Sequence, residues 1–278
     1  MILVTGATGN VGSALVRQLA EAGEPVRGLS RSGDPAKLPP GAEAAAGDLN
    51  DPTSLLPALA GVRAVFLMPG YADMVTTLAE IRAAGAERVV LLSGSSTESA
   101  DLDNAISRYM VESETAVRES GLPWTFLRPS AFMTNTLEWA DQLRAGDVVR
   151  APWEGVRIAN VDPYDIAAVA AAALSSRSKE HEGRVYALSG PESLLPADRV
   201  RILGEVLGRE LRFEGQSDEE ARAEMSAQMP VRYVDAFFSF YSEGMLDESR
   251  VVGTVREVTG REPRTFRAWA SANAAAFA

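Results

Sequence analysis

Ile2-Leu3-Val4-Thr5-Gly6-Ala7-Thr8-Gly9-Asn10-Val11-Gly12 opens the chain with an apolar run, a glycine-spaced turn and the start of an amphipathic segment. Ile2–Thr5 reads as a buried strand, and Val11–Ala22 carries helical spacing. Gly6 permits a tight strand-to-helix turn, Gly9 lets the backbone approach a pyrophosphate with no Cβ in the way, and Gly12 lets the helix lie close to the strand. The helix N-terminus adds free amides and a partial positive charge. A glycine-rich turn alone is weak evidence, because such turns are common. Here a strand precedes it and a helix follows it, which points to a dinucleotide held by Gly6, Thr8, Gly9, Asn10, Val11 and Gly12.

The alternation continues outward. Val26–Ser30, Ala64–Met68, Val89–Ser93 and Thr125–Arg128 are short, apolar and bounded by Gly, Pro or Ser, so they read as strands; Gly41–Gly47 is an Ala-rich further candidate. Pro52–Ala60, Tyr71–Ala84 and Asn104–Ser120 read as helices, with Gly85 and Gly121 as stops. Strands alternating with helices imply crossover connections, so the predicted fold is α/β, a Rossmann-type, doubly wound and mostly parallel sheet. Past about residue 150 the rhythm loosens. Val156–Val161 and Arg184–Leu188 are predicted strands flanking a helix from Pro163 to about Ser175, and from Pro196 the pattern is mainly helical: Asp198–Leu207, Asp218–Gln228, Val231–Ser242 and Pro263–Phe277. The expected division is a core over residues 1–150, with 155–190 returning to its sheet, and a smaller helical subdomain over 191–278 on the substrate side.

Composition narrows the function. The 278 residues carry a formal charge of −11, which argues against nonspecific attraction to nucleic acid or an anionic membrane. Cys is absent, excluding disulfides and thiolate chemistry. The one imidazole, His181, sits in a polar run with no second imidazole to join it on a metal, so no metal site is expected. No charged leader or long apolar run is present, and the expected location is the cytoplasm. The oligomeric state is left open.

The glycine spacing is G-x-x-G-x-x-G, which resembles the extended and atypical short-chain dehydrogenases/reductases, and more closely the NmrA-like group of quinone reductases, isoflavone-reductase-like enzymes and redox-sensing regulators. Gly47-Asp48-Leu49 resembles the family's adenine-side turn, and Val89–Ser96 its fifth strand with the active-site Ser. Ser120-Gly121-Leu122-Pro123-Trp124-Thr125-Phe126-Leu127-Arg128-Pro129 is similar to its "SGLPYTILRP" segment; Val161–Ala167 and Thr259–Phe266 also match the group. The resemblance implies Asp48, Leu49 and Ser93 as further cofactor contacts. After the second strand an NAD-binding chain usually carries an acid for the ribose 2′-hydroxyl. This one has Ser30-Arg31-Ser32, which suits a 2′-phosphate, so NADP(H) is preferred over NAD(H). A solvated Arg31 is the alternative, and nearby Asp34 keeps NAD open.

The resemblance also implies a Tyr with a Lys four residues on, and here the chain departs from it. Tyr109 is followed by Ser113; aligning on Glu114 instead places the expected Tyr and Lys near Ile106 and Met110. No Lys occurs from residue 38 to 178. A phenol without a neighbouring cation stays near its ordinary pKa of about 10 and remains protonated at neutral pH. It is then a poor base for oxidation but a usable donor in reduction. Ser95, with Ser93 and Ser96 as lesser choices, is the candidate to hydrogen-bond the same oxygen. The alternative is that Tyr109 only packs its helix and the serines cap the strand end.

Phe132, Asn135 and Trp139 follow the Arg128-Pro129 bend, where the resemblance places the substrate cleft, and Phe238 and Tyr241 stand in an aromatic-rich helix with Phe237 and Phe240. An aromatic stripe suits a core as well as a pocket. The expected activity is NADPH-dependent reduction of a quinone or an aromatic or polycyclic ketone, a small aromatic partner, with catalytic roles for Ser95 and Tyr109. The alternatives are a non-catalytic NmrA-like redox sensor, which the missing Lys favours, and an isomerase or cyclase of the same fold.

Overall fold

The computed structural model describes every residue except Ala100. Four strands and three helices lead the chain out from its N-terminus: β1 (Ile2–Val4), α1 (Asn10–Glu21), β2 (Val26–Ser30), β3 (Glu43–Ala46), α2 (Leu56–Leu59), β4 (Ala64–Leu67) and α3 (Met74–Ala83). They are followed by β5 (Arg88–Leu92), α4 (Ala105–Glu119), β6 (Trp124–Pro129), α5 (Ala140–Ala145), β7 (Val148–Ala151), α6 (Pro163–Ser175) and β8 (Arg184–Leu188). The remainder is α7 (Pro196–Leu207), β9 (Arg212–Gly215), α8 (Asp218–Gln228), α9 (Val231–Tyr241), α10 (Thr254–Thr259) and α11 (Phe266–Ala272).

Seven strands form one parallel sheet in the order β3-β2-β1-β4-β5-β6-β8. Alternate residues of each strand face opposite sides, so both faces must be covered. Ile2, Val4, Phe66, Val90 and Leu127 pack on α1 and α6, whose Ala-rich face lets the two helices lie close. Leu3, Leu29, Val65, Leu91 and Phe126 pack on α2, α3 and α4 from the other side. Because the chain winds from β1 to one edge and resumes at β4 toward the other, a crevice opens between β1 and β4 at the carboxyl ends of the strands. Thr5 pins that junction: its hydroxyl donates to the Phe66 carbonyl at 2.9 Å and accepts the Met68 amide at 3.0 Å.

A third core, around Trp139, Leu143, Val149, Leu203, Phe266 and Trp269, builds the C-terminal part beside a two-stranded parallel sheet of β7 and β9. These two strands were not expected; each is only four residues long, and neither shows a clear alternation. The predicted strand Val156–Val161 is absent. β6 pairs directly with β8, and this segment makes only isolated bridges, Ile158 with Leu194 and Val161 with Phe132. The expected single helix over Pro263–Phe277 is α11 followed by a separate 3-10 turn, with Asn273 between them. Pro52–Ala60 likewise divides into a 3-10 turn and α2, because Pro57 lacks the amide that a continuous helix would use.

Candidate active site

The glycine turn has no room for other residues at two positions. Gly6 has φ +62°, a left-handed conformation, and a Cβ there would lie 3.1 Å from Met68 Cγ. A Cβ on Gly12 would lie 2.1 Å from the Gly6 carbonyl oxygen, so α1 packs on its own approach loop. Thr8, Gly9 and Asn10 are exposed, and Gly9 offers α1 no side-chain cap. The first α1 amide to find a carbonyl is that of Ser13, which leaves the amides before it at the open end of the crevice. A bare, uncapped helix end beside a Cβ-free loop fits a dinucleotide pyrophosphate in charge and in space. Asn10 also reaches across the crevice, its Nδ2 donating to Thr134 Oγ1 at 3.2 Å.

Beyond β2 and β3 lie the residues expected at the adenosine. Arg31 is exposed, and the turn that carries it is set by the Gly33 amide donating to Ser30 Oγ at 3.1 Å. Asp34, the candidate ribose acid, spends its carboxylate on the Ala36 amide at 2.9 Å. Asp48 holds the Asn50 backbone and side-chain amides, while Leu49 turns into the core. Tyr71, past β4, completes the group. Burial raises its pKa, Asp48's charge adds to the rise, and Arg31's charge opposes it. Sequence reading missed Tyr71; it emerges only once β2, β3 and β4 are ordered side by side.

A cavity of about 580 Å³ opens at the other end, past β4 and β5. Met68, Pro69 and Gly70 form one wall, Leu92 and Ser93 the floor, Ile106, Tyr109 and Met110 of α4 a second wall, and Phe132, Met229, Tyr233 and Phe237 the rest. None of these carries a charge. Asn104 sets the two helices opposite each other: it caps α4, and its Nδ2 donates to the Ala236 carbonyl of α9 at 3.1 Å. Gly70 lies so close to Tyr109 that a Cβ there would be 3.1 Å from the ring. Burial raises the Tyr109 phenol above its ordinary range, and the neighbouring Tyr233 adds to this, so it stays protonated at neutral pH.

Ser113, at the position where a lysine was expected, joins this wall to the loop. It donates to the Tyr109 carbonyl at 2.6 Å and accepts the Gly70 amide at 3.0 Å. Ile106 and Met110, the other places considered for the dyad, are plain cavity wall. Ser93 borders the cavity, yet its hydroxyl is given to Glu114 at 2.7 Å. Glu114 is buried beneath α4 and also accepts Arg128 Nε and Nη2, at 2.8 and 2.7 Å, and Arg118 at 3.0 Å. Burial alone would push this carboxyl up; the bonds from Arg128 and Ser93 and the charges of both arginines outweigh it and hold it below the usual carboxylate range. Ser95 is also engaged, its hydroxyl 2.6 Å from Glu248.

Of the residues expected at the substrate, only Phe132 lines the cavity. Trp139 is a core side chain beneath the Arg199 guanidinium, 4.7 Å from its ring centroid, and Phe238 is buried with Ala221 and Val234; both expectations are corrected. The cause is helical period. Tyr233 and Phe237, four apart, face the cavity, while Val234 and Phe238 face away. Asn135 is exposed on the 3-10 segment Met133–Trp139, and Tyr241 backs Phe237, their rings stacked with centroids 6.5 Å apart. Among the described residues no His, Cys, Asp or Glu grouping could hold a metal, and no helix is long and apolar enough to cross a membrane.

Comparison with known proteins bears on this arrangement. A family described as NAD(P)H-binding matches residues 6–177. A (4-alkanoyl-5-oxo-2,5-dihydrofuran-3-yl)methyl phosphate reductase of Streptomyces griseus is 45% identical, over 100% of this chain and 99% of that protein. An NAD(P)H azoreductase of Xenophilus azovorans is 36% identical, with the same coverage of 100% and 99%. The solved structure of an NADPH-dependent quinone oxidoreductase of Escherichia coli complexed with NADPH superposes with a TM-score of 0.79 at 23% identity, covering 98% of this chain and 99% of that one. The chain belongs to the NAD(P)H-binding family and is an NAD(P)H-dependent oxidoreductase.

Proposed function

We propose that the chain is an NADPH-dependent reductase of quinones or of aromatic and polycyclic ketones, working in the cytoplasm by direct hydride transfer and without a tyrosine–lysine dyad. The observation that carries this reading is the uncharged cavity at the strand ends, walled by Phe132, Phe237 and methionines, with the Tyr109 phenol in it. A flat, neutral, conjugated substrate gains apolar contact there, while an anionic one would lose hydration with no cation to replace it. The quinone oxidoreductase and the azoreductase are named for substrates of the first kind. The phosphate named for the Streptomyces griseus relative would meet no Lys or Arg in this wall.

Gly6, Thr8, Gly9, Asn10 and Val11 would hold the pyrophosphate, Asp48 and Leu49 the adenine side, and Arg31 a 2′-phosphate. When bound, the reduced dinucleotide supplies a hydride from C4 of its nicotinamide. The chain's own residues do the rest. Phe132 and Phe237 orient the substrate and exclude water, and Tyr109 offers a proton to the oxygen on which negative charge develops. A protonated phenol donates but does not abstract, so reduction is favoured over alcohol oxidation. The test is NADPH and NADH absorbance followed against naphthoquinones, polycyclic ketones and azo dyes. Faster consumption with NADPH and a neutral aromatic acceptor is expected. Dinucleotide binding with no consumption across the panel would overturn the reading in favour of a sensor.

A further inference from the structure

Few groups in the cavity can donate to a substrate oxygen. Of its lining side chains only Ser93, Tyr109 and Tyr233 carry a hydroxyl, and the Ser93 hydroxyl is given to Glu114 at 2.7 Å. The Gly70 amide is given to Ser113 at 3.0 Å, and Pro69 has no amide to offer. Two phenols are left. Among the described residues neither the Tyr109 nor the Tyr233 hydroxyl has a hydrogen-bond partner, whereas those of Tyr186 and Tyr241 are bonded to His181 and Glu248, each at 2.8 Å. Helical period brings them to the cavity: on α4 Tyr109 shares a face with Ile106 and Met110, and on α9 Tyr233 shares one with Phe237. Asn104 locks those faces together. It caps α4 five residues before Tyr109 and holds the Ala236 carbonyl three residues after Tyr233.

We propose that Tyr233 determines specificity: with Tyr109 it gives the cavity two oxygen-binding points, one on each helix, which select conjugated acceptors with two carbonyl oxygens over simple ketones. This rests on the reductase reading above. Reduction of a simple ketone concentrates negative charge on one oxygen, and a phenol with no lysine beside it is a weak acid for that task. Burial weakens Tyr109 further as an acid. In a conjugated dicarbonyl the hydride and its electron pair enter the π system, and the charge is shared between both oxygens. Two neutral donors match that distribution, and neither has to be a strong acid. Tyr109 then gives its proton: its O–H bond breaks as a new O–H forms on the oxygen it holds, and the phenolate regains a proton from water when product leaves. Tyr233 keeps its hydrogen and holds the second oxygen throughout. One hydride and one proton are added in all. Either phenol alone still holds part of the shared charge, which is why the loss of Tyr109 by itself is tolerated. The cavity, at about 580 Å³, has room for a fused-ring acceptor between Phe132 and Phe237.

Tyr233→Phe tests this, because it removes the hydroxyl and keeps the ring. The probes are 1,4-naphthoquinone and 1-tetralone, which share a fused carbon skeleton but carry two carbonyls and one. The chain has no Cys to form adducts with the quinone. Binding is measured first by calorimetry on protein loaded with NADP⁺, where no reduction can occur. The parent should bind naphthoquinone more tightly than tetralone. Tyr233→Phe should weaken naphthoquinone about three- to tenfold, the worth of one neutral hydrogen bond, and leave tetralone within about twofold. In single turnovers with NADPH, Tyr233→Phe should slow naphthoquinone reduction by several-fold, and Tyr109→Phe combined with Tyr233→Phe on the order of a hundredfold. Equal weakening of both probes, or unchanged naphthoquinone binding in Tyr233→Phe, would overturn the proposal and make Tyr233 a plain wall. A parent that binds naphthoquinone no better than tetralone would overturn it as well. Selective, Tyr233-dependent binding with no NADPH consumed would support the two-point recognition and overturn the reductase reading instead.

Discussion

Arg128 at the end of β6 holds Glu114 of α4 with two parallel N–H···O bonds of 2.8 and 2.7 Å, so one buried carboxylate fastens a helix to the sheet directly under the cavity. Removing one partner of such a pair leaves an uncompensated charge, typically costing about 3–5 kcal/mol. Arg128→Met should fall near the lower end, since Arg118 and Ser93 still reach Glu114. Chemical denaturation would measure it. Glu114 is held below its unfolded pKa of about 4.3. Its contribution is therefore complete above that value and is lost as pH falls through the lower, folded pKa. Arg128→Met should accordingly flatten the acid limb of stability below about pH 4. An unchanged midpoint and acid limb would mean the pair contributes nothing.

Gly9→Val should abolish dinucleotide binding while leaving the melting temperature within a few degrees. Gly9 is exposed at the helix end with φ −86°, which other residues tolerate, but a branched side chain would occupy the pyrophosphate approach. Titration of NADPH by fluorescence checks it, and wild-type affinity in the variant would contradict the assignment.

Phe237→Ala and Phe238→Ala should separate cleanly although adjacent. Phe238 is 3% exposed, so its truncation should cost about 3–5 kcal/mol of stability. Phe237 lines the cavity, and its loss should raise KM for an aromatic substrate with a smaller effect on stability. Equal effects on both measurements would remove α9 from the substrate site.

Arg31→Ala should weaken NADPH about ten- to a hundredfold and NADH little, because a guanidinium–phosphate bond is typically worth about 1.5–3 kcal/mol. Added salt should narrow the gap. Equal weakening of both would mean that Arg31 only stacks on adenine; tighter NADH binding by the parent protein would make Asp34 the ribose ligand despite its bond to Ala36.

Local chemistry made much of this legible in the sequence. The glycine turn, the parallel sheet, β8 over Arg184–Leu188 and α8 over Asp218–Gln228 follow from strand and helix periods and their caps. What escaped was set by distance along the chain. Ser95 and Glu248 are 153 positions apart, and nothing around Glu248 marks it as more than a loop acid. Aromatic density points to Phe238 and not to Tyr233, because it says nothing about which side of α9 meets the cavity. Trp139 failed for the same reason, and Val156–Val161 failed because strand propensity cannot tell that β8 already occupies the edge of β6.

The central claim, reduction without a dyad, is met most directly by single-turnover mixing of NADPH-loaded protein with a naphthoquinone, in the parent chain and in Tyr109→Phe. The parent should consume bound NADPH in proportion to quinone, and Tyr109→Phe should slow this by less than about tenfold, well short of the roughly 10²–10⁴ that a full general acid supplies. NADPH that binds and is never consumed, or turnover abolished in Tyr109→Phe with binding intact, would contradict it.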